Sequence, residues 1–214
     1  FDVDSVGLDN DGNGFADWPA DPNCPEPEPT PTPGPFDCGA APAVGCISPK
    51  RAVLLVDEKT PGKEKLKVTL ASLQTNVGPT QLGNPVGGST AYKGCIYDAT
   101  NTLNGEYTVA QAGATCGSAP CWSAVSGKGY KYRDKSALAD GILKMNLFGG
   151  SSGKGKLVIV GRNKSATMPT GVAAALQNES SATVQILTSN ASCFGLSLTQ
   201  VKKADGSTFK AKGP

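Results

Sequence analysis

The sequence predicts a mainly β protein whose body is an antiparallel β-sandwich of the jelly-roll or Ig-like kind. Three observations favour this fold. Short apolar segments alternate with Gly, Ser, Asn and Pro turns at a spacing of about ten residues. Several segments alternate in polarity, as residues 65–70 do, which read Lys-Leu-Lys-Val-Thr-Leu. Aromatic residues make up 6% and charged residues 18% of the 214 residues, which is more typical of an extracellular β domain than of a helical enzyme.

Charge divides the chain into an acidic arm (residues 1–24), a proline-rich linker (25–37) and a body (38–214). Residues 1–37 contain nine Asp or Glu and no Lys or Arg, so the rest hold 18 − 9 = 9 acidic and all 20 basic residues. The side-chain charge is therefore −9 before residue 38 and +11 after it, although the sum is only +2. Such asymmetry predicts two parts that attract each other, within one chain or between chains.

Each predicted strand of the body is a short apolar or alternating segment that ends at a turn signal. The first is an apolar run, the second alternates with Lys, and most of the later ones end at Gly, Ser or Asn. In order they cover 51–57, 65–72, 91–98, 106–110, 121–126, 129–133, 141–148, 156–161, 183–189, 193–199 and 207–212. One short segment, 172–177, has a helical pattern.

The arm contains a calcium-loop pattern. Residues 9–14 read Asp-Asn-Asp-Gly-Asn-Gly, which places oxygen donors at alternate positions before the glycine that allows a sharp turn. Ala20 stands where an EF-hand has Glu, and Asp21 supplies the missing carboxylate. The predicted calcium ligands are Asp9, Asp11, Asn13, the carbonyl of Phe15, Asp17 and Asp21. The alternative is a loop of Asx-turns without metal.

Residues 9–24 resemble the calcium repeats of thrombospondin type 3 and related bacterial surface proteins. The resemblance rests on the Asp-x-Asp-Gly-x-Gly-x-x-Asp pattern and on the ending Asp-Pro-Asn-Cys-Pro. It implies that the ion organises a segment with almost no hydrophobic core. The second half departs from an EF-hand, because Pro19 and Pro22 break any exit helix.

The linker has proline at alternate positions over residues 25–35. This pattern favours polyproline II at about 3.1 Å per residue, which gives a spacer on the order of 30 Å long. Thr30 and Thr32 are candidate O-glycosylation sites by composition. A ligand for a proline-binding groove is the competing interpretation.

Seven cysteines and no cofactor motif favour an oxidising compartment, so we expect an exported protein, extracellular or at the cell surface. The start at Phe1 is expected to reflect removal of a signal peptide or a longer precursor. Six cysteines allow 15 connectivities. Proximity favours Cys38 with Cys46 and Cys116 with Cys121, which leaves Cys95 with Cys193 and Cys24 unassigned.

Residues 38–212 resemble a domain of secreted deltaproteobacterial proteins. The resemblance rests on residues 95–99, 115–122, 127–135 and 209–212, which read Cys-Ile-Tyr-Asp-Ala, Thr-Cys-Gly-Ser-Ala-Pro-Cys-Trp, Gly-Lys-Gly-Tyr-Lys-Tyr-Arg-Asp-Lys and Phe-Lys-Ala-Lys. It implies export and a β-rich fold, and it implies no activity.

Composition argues against catalysis and against several partners. The chain has no histidine, which excludes histidine bases and nucleophilic Ser-His or Cys-His pairs, and its carboxylates stand in no catalytic motif. We therefore predict that the protein is not an enzyme. The lysines are dispersed along the sequence, so no nucleic-acid partner is expected, and no segment approaches the roughly 20 apolar residues of a membrane span.

The first functional hypothesis is a secreted structural protein that assembles with itself into a homo-polymer or oligomer, including a filament. Its calcium-binding arm would dock on the next subunit, a contact that propagates. The second hypothesis is a calcium-dependent adhesive or carbohydrate-binding module, with surface glycans as partner. The third is an accessory domain of a larger secreted enzyme.

Overall fold

A computed structural model describes residues 36–164 and 168–213 of the chain. Residues 35–214 form one compact unit. Several sequence predictions lie outside the described residues. They are the arm with its calcium ligands Asp9, Asp11, Asn13, Phe15, Asp17 and Asp21, the unassigned Cys24, and Thr30 and Thr32 in the linker.

Antiparallel strands account for just under half of the described chain. They are β1 (Pro49–Asp57), β2 (Lys65–Leu73), β3 (Tyr92–Tyr97), β4 (Leu103–Val109), β5 (Thr115–Cys116), β6 (Ala119–Pro120), β7 (Trp122–Val125), β8 (Gly129–Arg133), β9 (Ile142–Phe148), β10 (Lys156–Arg162), β11 (Ala182–Thr188), β12 (Cys193–Leu198), β13 (Gln200–Ala204) and β14 (Thr208–Lys212). Two one-turn helices, α1 (Pro79–Leu82) and α2 (Val172–Ala175), lie between strands. No helix within 36–164 or 168–213 combines the length and apolar character of a membrane span.

The strands form two main sheets of unequal size. The larger has eight strands in the order β13-β14-β1-β2-β10-β9-β8-β7, and the smaller has four in the order β12-β11-β3-β4. The β1–β2 and β13–β14 hairpins lie in the larger sheet, and the β3–β4 and β11–β12 hairpins lie in the smaller one. Strands β7 to β10 form a meander within the larger sheet. A third sheet is the short hairpin of β5 and β6.

Polarity alternation along each strand places one face of each sheet in a shared core. On β2, Leu66, Val68 and Leu70 are buried while Lys65 and Lys67 are exposed. The same core cluster contains Ile96, Val184 and Phe194 from the smaller sheet. Removing these side chains from water is the main stabilising term, at roughly 1.5–3 kcal/mol for each large apolar side chain.

The predicted antiparallel sandwich of a mainly β protein is confirmed. Its division into eight and four strands differs from the eight strands that a jelly roll divides between two sheets. The sequence did not predict strand β13, because the adjacent Lys202 and Lys203 interrupt the alternation of polar and apolar residues. A bulge between Val201 and Lys203 restores the inward direction of Ala204, so pairing with β14 continues.

Candidate functional site

The outer face of the eight-stranded sheet collects basic side chains from seven of its strands. Strand alternation directs the apolar residues inward and the residues between them outward, and the antiparallel register aligns these outward positions across the sheet. The outward basic residues are Arg51, Lys65, Lys67, Lys131, Arg133, Lys144, Lys156, Arg162, Lys203, Lys210 and Lys212. These 11 residues, of the 20 Lys and Arg in the chain, are called the basic face.

One cross-strand row illustrates the density of charge on the basic face. Neighbouring strands lie about 4.8 Å apart, so a row through seven strands spans roughly 29 Å. Half-buried apolar side chains separate some of its cations, and lysine stems cover such surface while their ammonium groups remain in water. From β13 to β8 the row contains Lys203, Lys210, Leu55, Lys67, Val160, Lys144 and Arg133.

Three pairs of cations lie directly opposite one another on neighbouring strands of the basic face. They are Lys203 with Lys210, Arg133 with Lys144, and Lys65 with Arg162. Like charges at such positions destabilise a sheet. The basic face therefore carries repulsion that a bound anion would relieve.

Only part of this repulsion is relieved by carboxylates in the described residues. Lys203 Nζ lies 2.8 Å from Asp205, and Lys65 Nζ lies 4.0 Å from Asp57. The Lys203 ammonium, followed by the Ser207 hydroxyl, holds the pKa of Asp205 well below its usual range. Within 36–164 and 168–213, no ion pair reaches Arg133 or Lys144.

The opposite side of the sandwich carries the segment that joins the body to the linker. Residues 36–47, called the strap, cross the outer face of the four-stranded sheet from β3 to β12. At its start the Lys93 Nζ lies 2.8 Å from Asp37 Oδ1 and 5.6 Å from the centre of the Phe36 ring. At its end Ile47 forms a parallel bridge to Phe194, with its N–H donating to the Cys193 carbonyl at 2.8 Å.

Two disulfides attach the strap to the sheet, and they correct two predicted pairings. Cys38 is bonded to Cys95 and Cys46 to Cys193, so the expected Cys38–Cys46 and Cys95–Cys193 pairs are wrong. The physical reason is the path of the strap: it crosses from β3 over β11 to β12, which sets Cys38 and Cys46 above different strands and next to different cysteines. The Cys116–Cys121 disulfide is formed as expected.

A buried glutamine holds the centre of the strap. The Gln185 Nε2 donates to the Ala43 carbonyl at 2.7 Å, and the Gln185 Oε1 accepts from the Ala43 N–H at 2.9 Å. Gln185 is 4% exposed, so water cannot readily replace these bonds. Its side chain packs against Gly195 of β12, where an added Cβ would lie only 2.8 Å from the Gln185 Cγ.

Several carboxylates of the body accept hydrogen bonds from backbone N–H groups of distant segments. Glu58 accepts the N–H groups of Val172 and Ala173, Asp140 accepts that of Thr108, and Glu179 accepts that of Ala99.

Two other carboxyl groups of the body, those of Glu64 and Asp98, have lowered pKa values. The Glu64 pKa falls because of a hydrogen bond from its own backbone, against the effect of burial, with further bonds from Gly62 N–H and Asn163 Nδ2 at 2.8 Å each. Burial alone would raise the Asp98 pKa, but bonds from Asn104, Thr100 and Thr102 outweigh it and lower the value. Both groups stabilise turns as anions.

A groove of about 420 Å³ lies between the β7–β8 hairpin and α1. Its walls are mostly glycine and apolar residues, with Ser126, Lys128 and Tyr130 as the polar side chains. No carboxylate or cysteine lines it. Across the described parts of the chain, no group of three His, Cys, Asp or Glu residues is placed to hold a metal ion.

The basic face is the feature that the linear sequence concealed. The lysines look dispersed because a strand separates them by alternation, as in residues 65–67 and 210–212. Their shared direction depends on which strands pair and in what register, and the sequence does not state this. The available signal was the placement of two cations at alternate positions in three of the predicted strands, 65–72, 129–133 and 207–212.

Comparison of the chain with protein-family models, with curated proteins and with solved structures finds no match. The function is therefore inferred from the sandwich, the basic face and the strap. Three disulfides in the body fit an extracellular protein.

Proposed function

We propose that this protein is a secreted, non-enzymatic structural subunit of an extracellular or cell-surface assembly, in which the acidic arm of one copy binds the body of the next. The single observation that carries the proposal is the separation of charge. Residues 1–37 have a side-chain charge of −9 without one cation, and the remainder has +11. Opposite charges on separate parts of identical chains favour head-to-tail association.

The strap supports this proposal mechanically. A subunit held by its arm transmits tension through the first residues of its body. Cys38 and Cys46 tie these residues covalently to β3 and β12, so tension enters the sheet through two disulfides rather than by peeling a strand.

Calcium has a defined role in the proposal. Bound by Asp9, Asp11, Asn13, Phe15, Asp17 and Asp21, it would organise the arm and reduce the charge of residues 1–37 to about −7, which preserves the attraction. The arm would then dock as one ordered unit, with less conformational entropy lost on binding.

The test is electron microscopy and light scattering of the full chain in calcium at low ionic strength. We expect filaments or oligomers that fail to form without residues 1–34 and that form more slowly in chelator or in 1 M salt. Circular dichroism of the truncated chain provides the control for folding, because residues 35–214 form their own unit. A full chain that stays monomeric under all conditions, or a truncated chain that assembles normally, would overturn the proposal.

A further inference from the structure

We infer that the acceptor for the acidic arm is the basic face, and that the arm it accepts belongs to a second copy of this chain. This inference rests on the proposed function and adds the location of the binding surface. Its first support is the number of unpaired charges on the basic face and in residues 1–37. Of the 11 cations of the basic face, Lys65 and Lys203 already have carboxylate partners, which leaves 11 − 2 = 9. Of the nine acids in residues 1–37, Asp37 is paired with Lys93, so the other 9 − 1 = 8 carry a charge of −8, or about −6 when the proposed calcium ion is bound.

The second support is spacing. Lys65 with Lys67 and Lys210 with Lys212 are two residues apart on extended strands, which places their Cα atoms about 6.6 Å apart. Acids in residues 1–37 also occur two residues apart, as in Asp2 with Asp4 and Glu26 with Glu28. In an extended segment such acids lie on one side of the chain, roughly 6.4–6.8 Å apart. The acids of an extended arm and the cations of the basic face would therefore have the same spacing.

The third support is the repulsion that the basic face retains. Arg133 and Lys144 lie opposite each other, and no carboxylate among the described residues forms an ion pair with either of them. A carboxylate placed between them converts one unfavourable contact into two favourable ones. The half-buried Leu55, Val160 and Phe148 on the same face offer apolar contact to the residues that alternate with acids in the arm.

The position of the strap makes the acceptor a second copy. The strap lies on the outer face of the four-stranded sheet, and the basic face lies on the outer face of the other sheet, so both sheets stand between them. Packed sheets are about 10 Å apart before side chains are added. Phe36, the first residue of the strap, therefore lies on the side of the sandwich away from the basic face. Face-to-back contact between copies is heterologous and repeats without closing.

The experiment compares two variants of the full chain with equal charge. The face variant is Lys67→Glu with Lys144→Glu and Lys210→Glu, all on the cross-strand row. The control variant is Lys63→Glu with Lys128→Glu and Lys154→Glu, all exposed in turns. Light scattering should show at least a tenfold slower assembly of the face variant, while the control assembles within about twofold of the unaltered chain.

A charge exchange separates arm docking from other causes. An arm variant with Asp2→Lys, Asp4→Lys, Glu26→Lys and Glu28→Lys has residues 1–37 at −9 + 8 = −1, so it should fail to assemble alone, and its mixture with the face variant should assemble more than either variant does by itself. Failure of the mixture, or normal assembly of the face variant alone, would overturn the inference.

Binding of the unaltered chain and of the face variant to polyglutamate is measured in parallel. If the face variant loses this binding but the mixture does not assemble, the inference is wrong, and the basic face binds a polyanion other than the arm. If the unaltered chain assembles and both triple variants also do, the proposed function stands and the acceptor lies elsewhere. If the unaltered chain never assembles, both are wrong.

Discussion

Arg133 of β8 and Lys144 of β9 lie directly opposite each other in the antiparallel register, on the solvent side of the eight-stranded sheet. The Arg133 guanidinium turns to the Tyr132 carbonyl at 3.1 Å and to the Asn146 amide oxygen at 3.4 Å, and no carboxylate among the described residues pairs with it. Two cations at one cross-strand position cost stability. They are understandable if the face is built to hold an anion.

The first prediction concerns this pair. Lys144→Glu replaces a repulsive cross-strand pair by an attractive one, which should stabilise the isolated chain by about 0.5–1 kcal/mol. The melting temperature should rise by roughly 1–4 °C, measured by calorimetry at low ionic strength. The same variant should assemble more slowly. Lys128→Glu, in a turn without an opposing cation, should change neither quantity much. Lower stability of Lys144→Glu in a well-folded protein would contradict the account of this face.

The second prediction ranks the disulfides. The Cys46–Cys193 and Cys38–Cys95 bonds close loops of 147 and 57 residues, and Cys116–Cys121 closes one of 5. Restriction of the unfolded chain gives about 5, 4 and 2 kcal/mol in that order. Urea unfolding of the three double-alanine variants should reproduce this order. Equal losses from all three would show that loop closure is not the dominant effect.

The third prediction concerns the centre of the strap. Gln185→Leu removes both hydrogen bonds to Ala43 and should cost about 1 kcal/mol. The disulfides on either side should keep the strap attached, so hydrogen exchange should quicken at the Ala43 amide and leave the amides of β11 protected. Gln200→Leu, at an exposed position of β13, is the matched control. Unchanged exchange at Ala43 would mean that Gln185 does not hold the strap.

The fourth prediction is a pH dependence from Glu64. Its pKa in the folded protein lies below the unfolded value of about 4.3, so the carboxylate stabilises the fold above that pH. This contribution is lost as the pH falls through the folded pKa. Glu64→Gln should therefore lower stability at pH 7 and flatten its decline below pH ~4.3. Glu106→Gln, an exposed residue, should retain the full decline.

Sequence reasoning succeeded where local pattern decides structure. Residues 129–133 form the strand that was predicted, with the same bounds, because turn residues enclose a short alternating segment. It failed where distant residues meet. The Cys38–Cys46 pair seemed natural at a separation of eight residues, yet the strap crosses three strands there, and each cysteine meets a strand far along the chain.

The candidate site was half visible in the sequence. The acidic arm is evident from composition, since its charge is contiguous in the chain. The basic face is not, because its cations come from seven strands and become neighbours only through pairing, as Lys67 and Lys144 do across β10. Alternation predicts that a strand has an outward side. It does not predict which other strands share that side.

The most direct measurement of arm docking is carbodiimide cross-linking of an equal mixture of ¹⁴N- and ¹⁵N-labelled full chains. This reagent joins carboxylates to lysines that already form ion pairs, and isotope labels distinguish links between copies from links within one. The account predicts mixed-isotope links from acids of residues 1–28 to Lys67, Lys144 and Lys210. Links confined to single copies, or to turn lysines such as Lys63, Lys128 and Lys154, would contradict it.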